Sequence, residues 1–285
     1  MNRLPLAACC LPLVLAATGC TDPNPTSGEW VVVWEDEFDG SAGKAPDSDW
    51  WVFDVGGDGW GNNQLEHTTD RTENVYLDGD GHLAITAIEE EYEGNAYTSG
   101  RITTSGLFEH GYGRFEARIQ LPEGKGLWPA FWMLGSRFDD AGWPWCGEID
   151  IMEFGGSTPD HVSGALHGPG YSAANPLTGG FSLDEGSFSE GFHDFAVEVD
   201  PGHIAWYVDG EQYMRFTRAD IPEDATWVFD PRDDDEGWFI LLNLAVGGWF
   251  DGDPDETTEF PATMLVDWVR VSERAWTRAP DEDDA

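Results

Sequence analysis

Positive charge is what this sequence has least of. Fourteen Lys and Arg stand against 55 Asp and Glu, for a formal net charge of -41. Neutralising phosphates takes a basic footprint, so cations this dilute exclude a nucleic-acid binder. Docking on an anionic membrane surface is excluded for the same reason. Helical periodicity is scarce too: only Arg218–Trp227 is expected to hold a short turn of helix. No repeat of fixed period is present. Acidity with few hydrophobes would mean disorder. Here hydrophobic residues make up 40%, and 15 Trp and 16 Phe supply a packed core. The excess acid is therefore expected on the surface, as in a protein adapted to high salt, where ions screen its self-repulsion.

Cysteine is nearly as scarce, with four in the chain. Three of them fall in Met1–Cys20, which reads as an export signal. Arg3 begins it, and the apolar run Leu4–Ala17 is too short to cross a bilayer as a helix. Ala17-Thr18-Gly19-Cys20 resembles a bacterial lipobox, whose cysteine is lipidated and becomes the new amino terminus. Thr21–Glu29 then reads as a polar tether. Cys146 alone remains, so no intramolecular disulfide is expected; with no partner motif for a nucleophile, it reads as a packing residue. The expected organisation is a signal peptide over 1–20, a linker over 21–29, one domain over 30–273 and an acidic tail over 274–285. The product would be an exported lipoprotein or extracellular protein. It would touch the membrane only through its lipid and would be a monomer.

What the sequence does have is alternation. In Gly113–Leu121, Phe115, Ala117, Ile119 and Leu121 share one face while Arg114, Glu116, Arg118 and Gln120 share the other. Phe195–Val199, Ile204–Val208 and Gln212–Phe216 follow the same rule, with Asp209-Gly210 offering a hairpin turn. Trp30–Trp34, Trp50–Val55, Leu83–Ile88, Trp238–Val246 and Met264–Val271 are further predicted strands. Trp238–Val246 is almost wholly apolar, as a strand covered on both faces must be. Many short strands among Gly, Asp and Pro turns imply an all-β antiparallel sandwich, with a concave outer face free for a ligand.

The densest chemical signal is Gly147-Glu148-Ile149-Asp150-Ile151-Met152-Glu153-Phe154. Glu148 and Asp150 share a strand face, but Glu153, at i+5 from Glu148, would point into the core. A β-bulge near Ile151–Met152 would return it to the same side, and burying it unpaired would be costly, so a bulge is predicted. Three carboxylates on one face cannot all ionise independently, and at least one must hold its proton more tightly. One ionised and one protonated carboxyl are what retaining glycoside hydrolysis needs. Solvated acids on an outer face are the rival reading. Nearby aromatics weigh against it: Trp128, Phe131, Trp132, Trp143 and Trp145 offer faces on which sugar rings stack.

The run Gly147–Gly156 resembles the bulged signature of glycoside hydrolase family 16, and its surroundings resemble bacterial laminarinases. Matching stretches include Trp34–Gly40, Gly59–Thr69, Glu73–Ala87, Tyr97–Thr104, Gly126–Gly135, Ala165–Ser172, Phe192–Gly210, Phe239–Gly248 and Phe260–Val271. The resemblance implies a β-jelly-roll and hydrolysis of a neutral β-1,3-glucan without a catalytic cofactor. It assigns Glu148 as nucleophile, Asp150 as its partner and Glu153 as acid/base. It places Asn63, Arg101, Trp128, Trp132 and His167 in the cleft. Glu37, the backbone of Gly81 and Asp267 match the positions of a structural calcium. After Gly248, many laminarinases continue Asn-Trp-Pro-Gly, whereas here Trp249-Phe250-Asp251-Gly252 follows. The motif leaves open a mixed-linkage β-glucanase, a galactan hydrolase, a transglycosylase and a non-catalytic surface glycan-binding lipoprotein.

Overall fold

The computed structural model describes residues 28–231 and 236–275. The signal peptide, most of the linker and most of the acidic tail lie outside the described residues. In chain order the first strands are β1 (Trp30–Asp36), β2 (Val52–Phe53), β3 (Glu66–Thr68), β4 (Val75–Leu77), β5 (Leu83–Tyr92) and β6 (Asn95–Ser99). Then come β7 (Arg101–Thr103), β8 (Gly113–Gln120), β9 (Leu127–Gly135), the helix α1 (Phe138–Ala141), β10 (Glu148–Phe154) and β11 (His161–His167). The last are β12 (Leu177–Ser182), β13 (His193–Asp200), β14 (His203–Val208), β15 (Glu211–Thr217), β16 (Trp238–Val246) and β17 (Ala262–Arg274).

They form two sheets. A ten-stranded sheet runs β15-β14-β13-β8-β17-β5-β6-β3, with β1 on β17 and β4 on β5. A seven-stranded sheet runs β12-β11-β10-β9-β16-β7-β2. All pairings are antiparallel except β3 with β6. The principal core lies between the sheets and takes alternate residues of both. In β8, Phe115, Ala117 and Ile119 are fully buried, as their alternation predicts. In β16 every residue is buried. Ile240, Leu242 and Leu244 enter the main core, while Phe239 and Leu241 join Leu134, Cys146 and Trp132 on the other face. The jelly-roll sandwich follows from this two-sided burial.

Two local expectations are corrected. Arg218–Trp227 forms turns, not a helix: the Thr217 amide and hydroxyl both donate to Asp220 Oδ2, each at 2.7 Å, and a side chain so engaged competes with helical hydrogen bonds. The helix among the described residues is the single turn α1, ended by Gly142 at φ 68°. Trp50–Val55 is a strand only at Val52–Phe53. Trp51 instead turns inward and donates its indole N–H to Asp36 Oδ2 at 2.8 Å. At the other end β17 runs on to Arg274, just inside the expected tail, where the guanidinium reaches Glu198 at 3.0 Å.

Candidate active site

The site begins with a miscount in β10. Asp150 pairs with Ala165 on β11 and Trp132 on β9, yet Glu153, three residues on, pairs with Ser163 and Ala130, only two residues on. The extra residue is absorbed where Ile151 and Met152 both turn into the core, at 2% and 0% exposure. Glu148, Asp150 and Glu153 are thereby left together on the outer face, as the sequence requires.

Four other strands of the same sheet place side chains beside them. His167 stands opposite Glu148 on β11. Trp128 and Trp132 lie on β9, Asn243 on β16 and Arg101 on β7, where Asn243 pairs with Arg101. Glu148 Oε2 accepts the Trp143 indole N–H at 2.5 Å, and Glu153 Oε1 accepts that of Trp128 at 3.1 Å. Trp132 donates to Asn243 Oδ1 at 2.7 Å. The Arg101 guanidinium lies between Trp60 and Trp132, 4.4 and 4.8 Å from their ring centroids, and donates to Asp54 Oδ2 at 2.9 Å. Asn63 is exposed at a left-handed φ of 57°, in the loop that bridges to Gly247 through Gln64. Behind β10, the buried indole of Trp206, on the opposite sheet, donates to the Asp150 carbonyl at 2.8 Å.

Burial pushes all three carboxyls up. Glu148 rises to about 8, through desolvation first and then the Asp150 charge, against His167, the Trp143 N–H and Arg101. Asp150 is raised by burial. Glu153 rises well above the usual carboxylate range, by burial and then by the Asp150 charge. Glu148 has an indole donor, a nearby guanidinium and His167 to favour its anion. Glu153 has one indole and the same histidine, farther along the strand. A proton shared by the cluster therefore resides on Glu153.

Glu148, Asp150 and His167 are also spaced as metal ligands, with donor atoms within 4.8 Å of one another. The imidazole argues against that use. Its Nδ1 accepts the Ala173 amide at 3.2 Å, which leaves the ring proton on Nε2, 3.1 Å from Asp150 Oδ2. His167 thus presents an N–H and not a lone pair beside Asp150. Cys146 is buried and its thiol is pushed up to about 11 by burial, so it is no nucleophile. For calcium, Arg270 donates to Glu37 Oε1 at 2.6 Å and Arg118 lies 3.2 Å from Asp267 Oδ2. With both carboxylates engaged by guanidinium groups, the set as arranged does not fit a hard cation.

Sequence reasoning named the acids and their strand neighbours but not Trp60, Asp54 or Asn243 as site residues, nor Trp143 as the donor to Glu148. Trp143 was visible as an aromatic near the acids. The other three become site residues only through sheet order and the approach of the Gly59–Gln64 loop.

A family model for the glycosyl hydrolases of family 16 matches residues 61–270. The β-glucanase of Rhodothermus marinus is 41% identical, over 91% of this chain and 92% of that protein. Among solved structures, the endo-β-1,3-glucanase of Pyrococcus furiosus matches with a TM-score of 0.81 and 43% identity, covering 88% of this chain and 97% of that one. The laminarinase catalytic domain of Thermotoga maritima matches with a TM-score of 0.80 and 43% identity, covering 87% and 99%. With the two-sheet sandwich and the bulged carboxylate strand already in place, the chain belongs to glycosyl hydrolase family 16.

Proposed function

We propose that the protein is a retaining endo-β-1,3-glucanase acting on a neutral, laminarin-type glucan. One observation carries this reading: the bulge in β10 sets three largely buried carboxyls on one face with donors distributed so that Glu148 is the better anion and Glu153 the better acid. Glu148 attacks the anomeric carbon while Glu153 gives its proton to the departing glycosidic oxygen, and a covalent glycosyl-enzyme forms. Glu153, now ionised, takes a proton from water. That water attacks the anomeric carbon, frees Glu148 and leaves the β configuration in place. Asp150, beside Glu148 on the same face, holds the nucleophile in orientation, and His167 presents its Nε2 proton next to them. Arg101, Asn63 and the indoles of Trp128 and Trp132 bind sugar in the cleft. Catalysis needs no cofactor. The β-1,3-glucanases among its relatives support the linkage, and the net charge of -41 supports a neutral polymer over a sulfated one.

The deciding experiment is a product profile on laminarin, lichenan, agarose and carrageenan, with the first anomer read by NMR. Laminarin cleaved internally to β-anomers is expected; α-anomers, or no cleavage of laminarin, would overturn the reading. The same reading extends to export and anchoring: Cys20 carries lipid and tethers the domain through Thr21–Glu29 to the cell surface. Cys20→Ser expressed in a bacterium that processes lipoproteins is expected to move the protein from the membrane fraction to the soluble one.

A further inference from the structure

The loop leaving β16 is the stretch where the sequence departs from the laminarinase pattern, and it is pinned at both ends. Near its start the Trp249 amide donates to the Asn62 carbonyl at 3.1 Å. Gly248 has φ 92°, and a Cβ there would lie 2.8 Å from Asn62 O, so only glycine allows this approach. At its other end Asp251 Oδ2 accepts the Gly126 and Ser157 amides at 2.7 and 3.1 Å, and Oδ1 accepts the Ser157 hydroxyl. Between these pins two aromatic side chains project, Trp249 at 70% exposure and Phe250 at 41%. Phe250 lies flat on Trp128, with centroids 5.0 Å apart and planes 11° from parallel. Trp128 in turn donates to Glu153 Oε1. Glu153, Trp128 and Phe250 thus meet in series, and the residue before Phe250 in the loop carries an indole that the protein does not cover.

We propose that Trp249 and Phe250 form a sugar-stacking subsite for a glucose unit of the β-glucan chain lying beyond the two units joined by the cleaved bond. A β-linked glucopyranose presents a flat C–H face that stacks on an indole, and its equatorial hydroxyls need polar partners at the rim. Asn63, in the loop to which Trp249 is tied and with no protein partner for its amide among the described residues, supplies one. Because Asp251 and the Asn62 contact fix the loop, little freedom is lost when sugar arrives. Phe250 caps one face of Trp128, and Trp249 beside it in the loop is the aromatic left uncovered. This rests on the β-glucan reading of the catalytic site and adds to it the residues that read glucan length.

The test uses the full chain carrying Glu148→Gln, titrated by calorimetry with β-1,3-glucan oligosaccharides of two and of seven units, with and without Trp249→Ala. Trp249→Ala is expected to weaken the longer ligand about tenfold and leave the shorter one unchanged. Its melting temperature is expected to stay the same, because the side chain is exposed. Equal affinity for the longer ligand with and without Trp249, or an equal loss at both lengths, would overturn the subsite while leaving the glucanase reading intact. Altered sedimentation of the ligand-free protein would overturn it too, marking the patch as a contact between copies. If Glu148→Gln alone binds neither length and the unmodified protein does not cleave laminarin, the glucanase reading falls and the subsite with it.

Discussion

Glu148 and Glu153 differ less in their depth than in what faces them, and that difference sets their separate predictions. Glu148→Gln and Glu153→Gln are each expected to cut laminarin hydrolysis by at least about 10,000-fold without changing the melting temperature, and near-normal turnover in either removes its assigned role. On an aryl glucoside whose phenol leaves without protonation, Glu153→Ala is expected to keep its first step and to yield a β-glucosyl azide when azide is added. An α-azide would mean that Glu153 is the nucleophile. Because burial raises both carboxyls, the rate rises as Glu148 ionises and falls as Glu153 loses its proton, so the bell in kcat/KM lies at higher pH than ordinary carboxylates would give. Trp143→Phe removes the 2.5 Å donor to Glu148 and is expected to move the acid limb higher still. Of this chemistry, the sequence displayed the acids and their spacing. It could not display the tautomer of His167, which depends on an amide six residues away folding back onto Nδ1.

The bulge was legible because a strand has only two faces: three acids and a run of large apolar residues can be sorted between them in one way. Strand ends were less legible. Trp51 left its predicted strand for a bond to Asp36, a partner 15 residues away, and Arg218–Trp227 yielded to a local turn. The short strands β3, β6 and β7 went unseen because pairing, and not composition, defines them. One of them holds a buried acid. Glu66 on β3 is 1% exposed, accepts the Val246 amide at 2.9 Å and is pushed up to about 7 by burial. A raised folded value means stability that is full below the unfolded value near 4.5 and is lost as pH rises to about 7. Glu66→Gln, which keeps an acceptor for Val246, is expected to remove that decline, worth about 3 kcal/mol, in urea unfolding at a series of pH values. An unaltered slope would show that the carboxyl ionises freely. Between the sheets, a Cβ at Gly164 would meet Trp206 Cδ1 at 2.6 Å and the Tyr213 hydroxyl at 2.8 Å. Gly164→Ala is expected to cost about 2 kcal/mol by overpacking and to lower activity with it, since Trp206 holds the Asp150 backbone.

Over the whole molecule the few cations are concentrated in cross-strand pairs. Arg114 meets Glu198 at 3.2 Å and Arg118 meets Asp194 at 2.9 Å across β8 and β13, and Arg270 of β17 reaches Glu37 beyond β1. Pairing of this kind leaves most of the acid excess to repel itself in solvent. Salt should relieve that repulsion, so thermal stability is expected to climb from low to molar KCl, and a flat response would overturn the salt-adaptation reading. Net charge was plain in the sequence, but which acids were spent on arginines was not, because the partners come from different strands. The Trp206 bond also spans the molecule, from one sheet to the carbonyl of a residue between the two catalytic glutamates. Its indole proton is a ready-made reporter. In an NMR titration that resonance is expected to shift with the protonation of the cluster, so the proton's location could be followed in solution without substrate, inhibitor or added label.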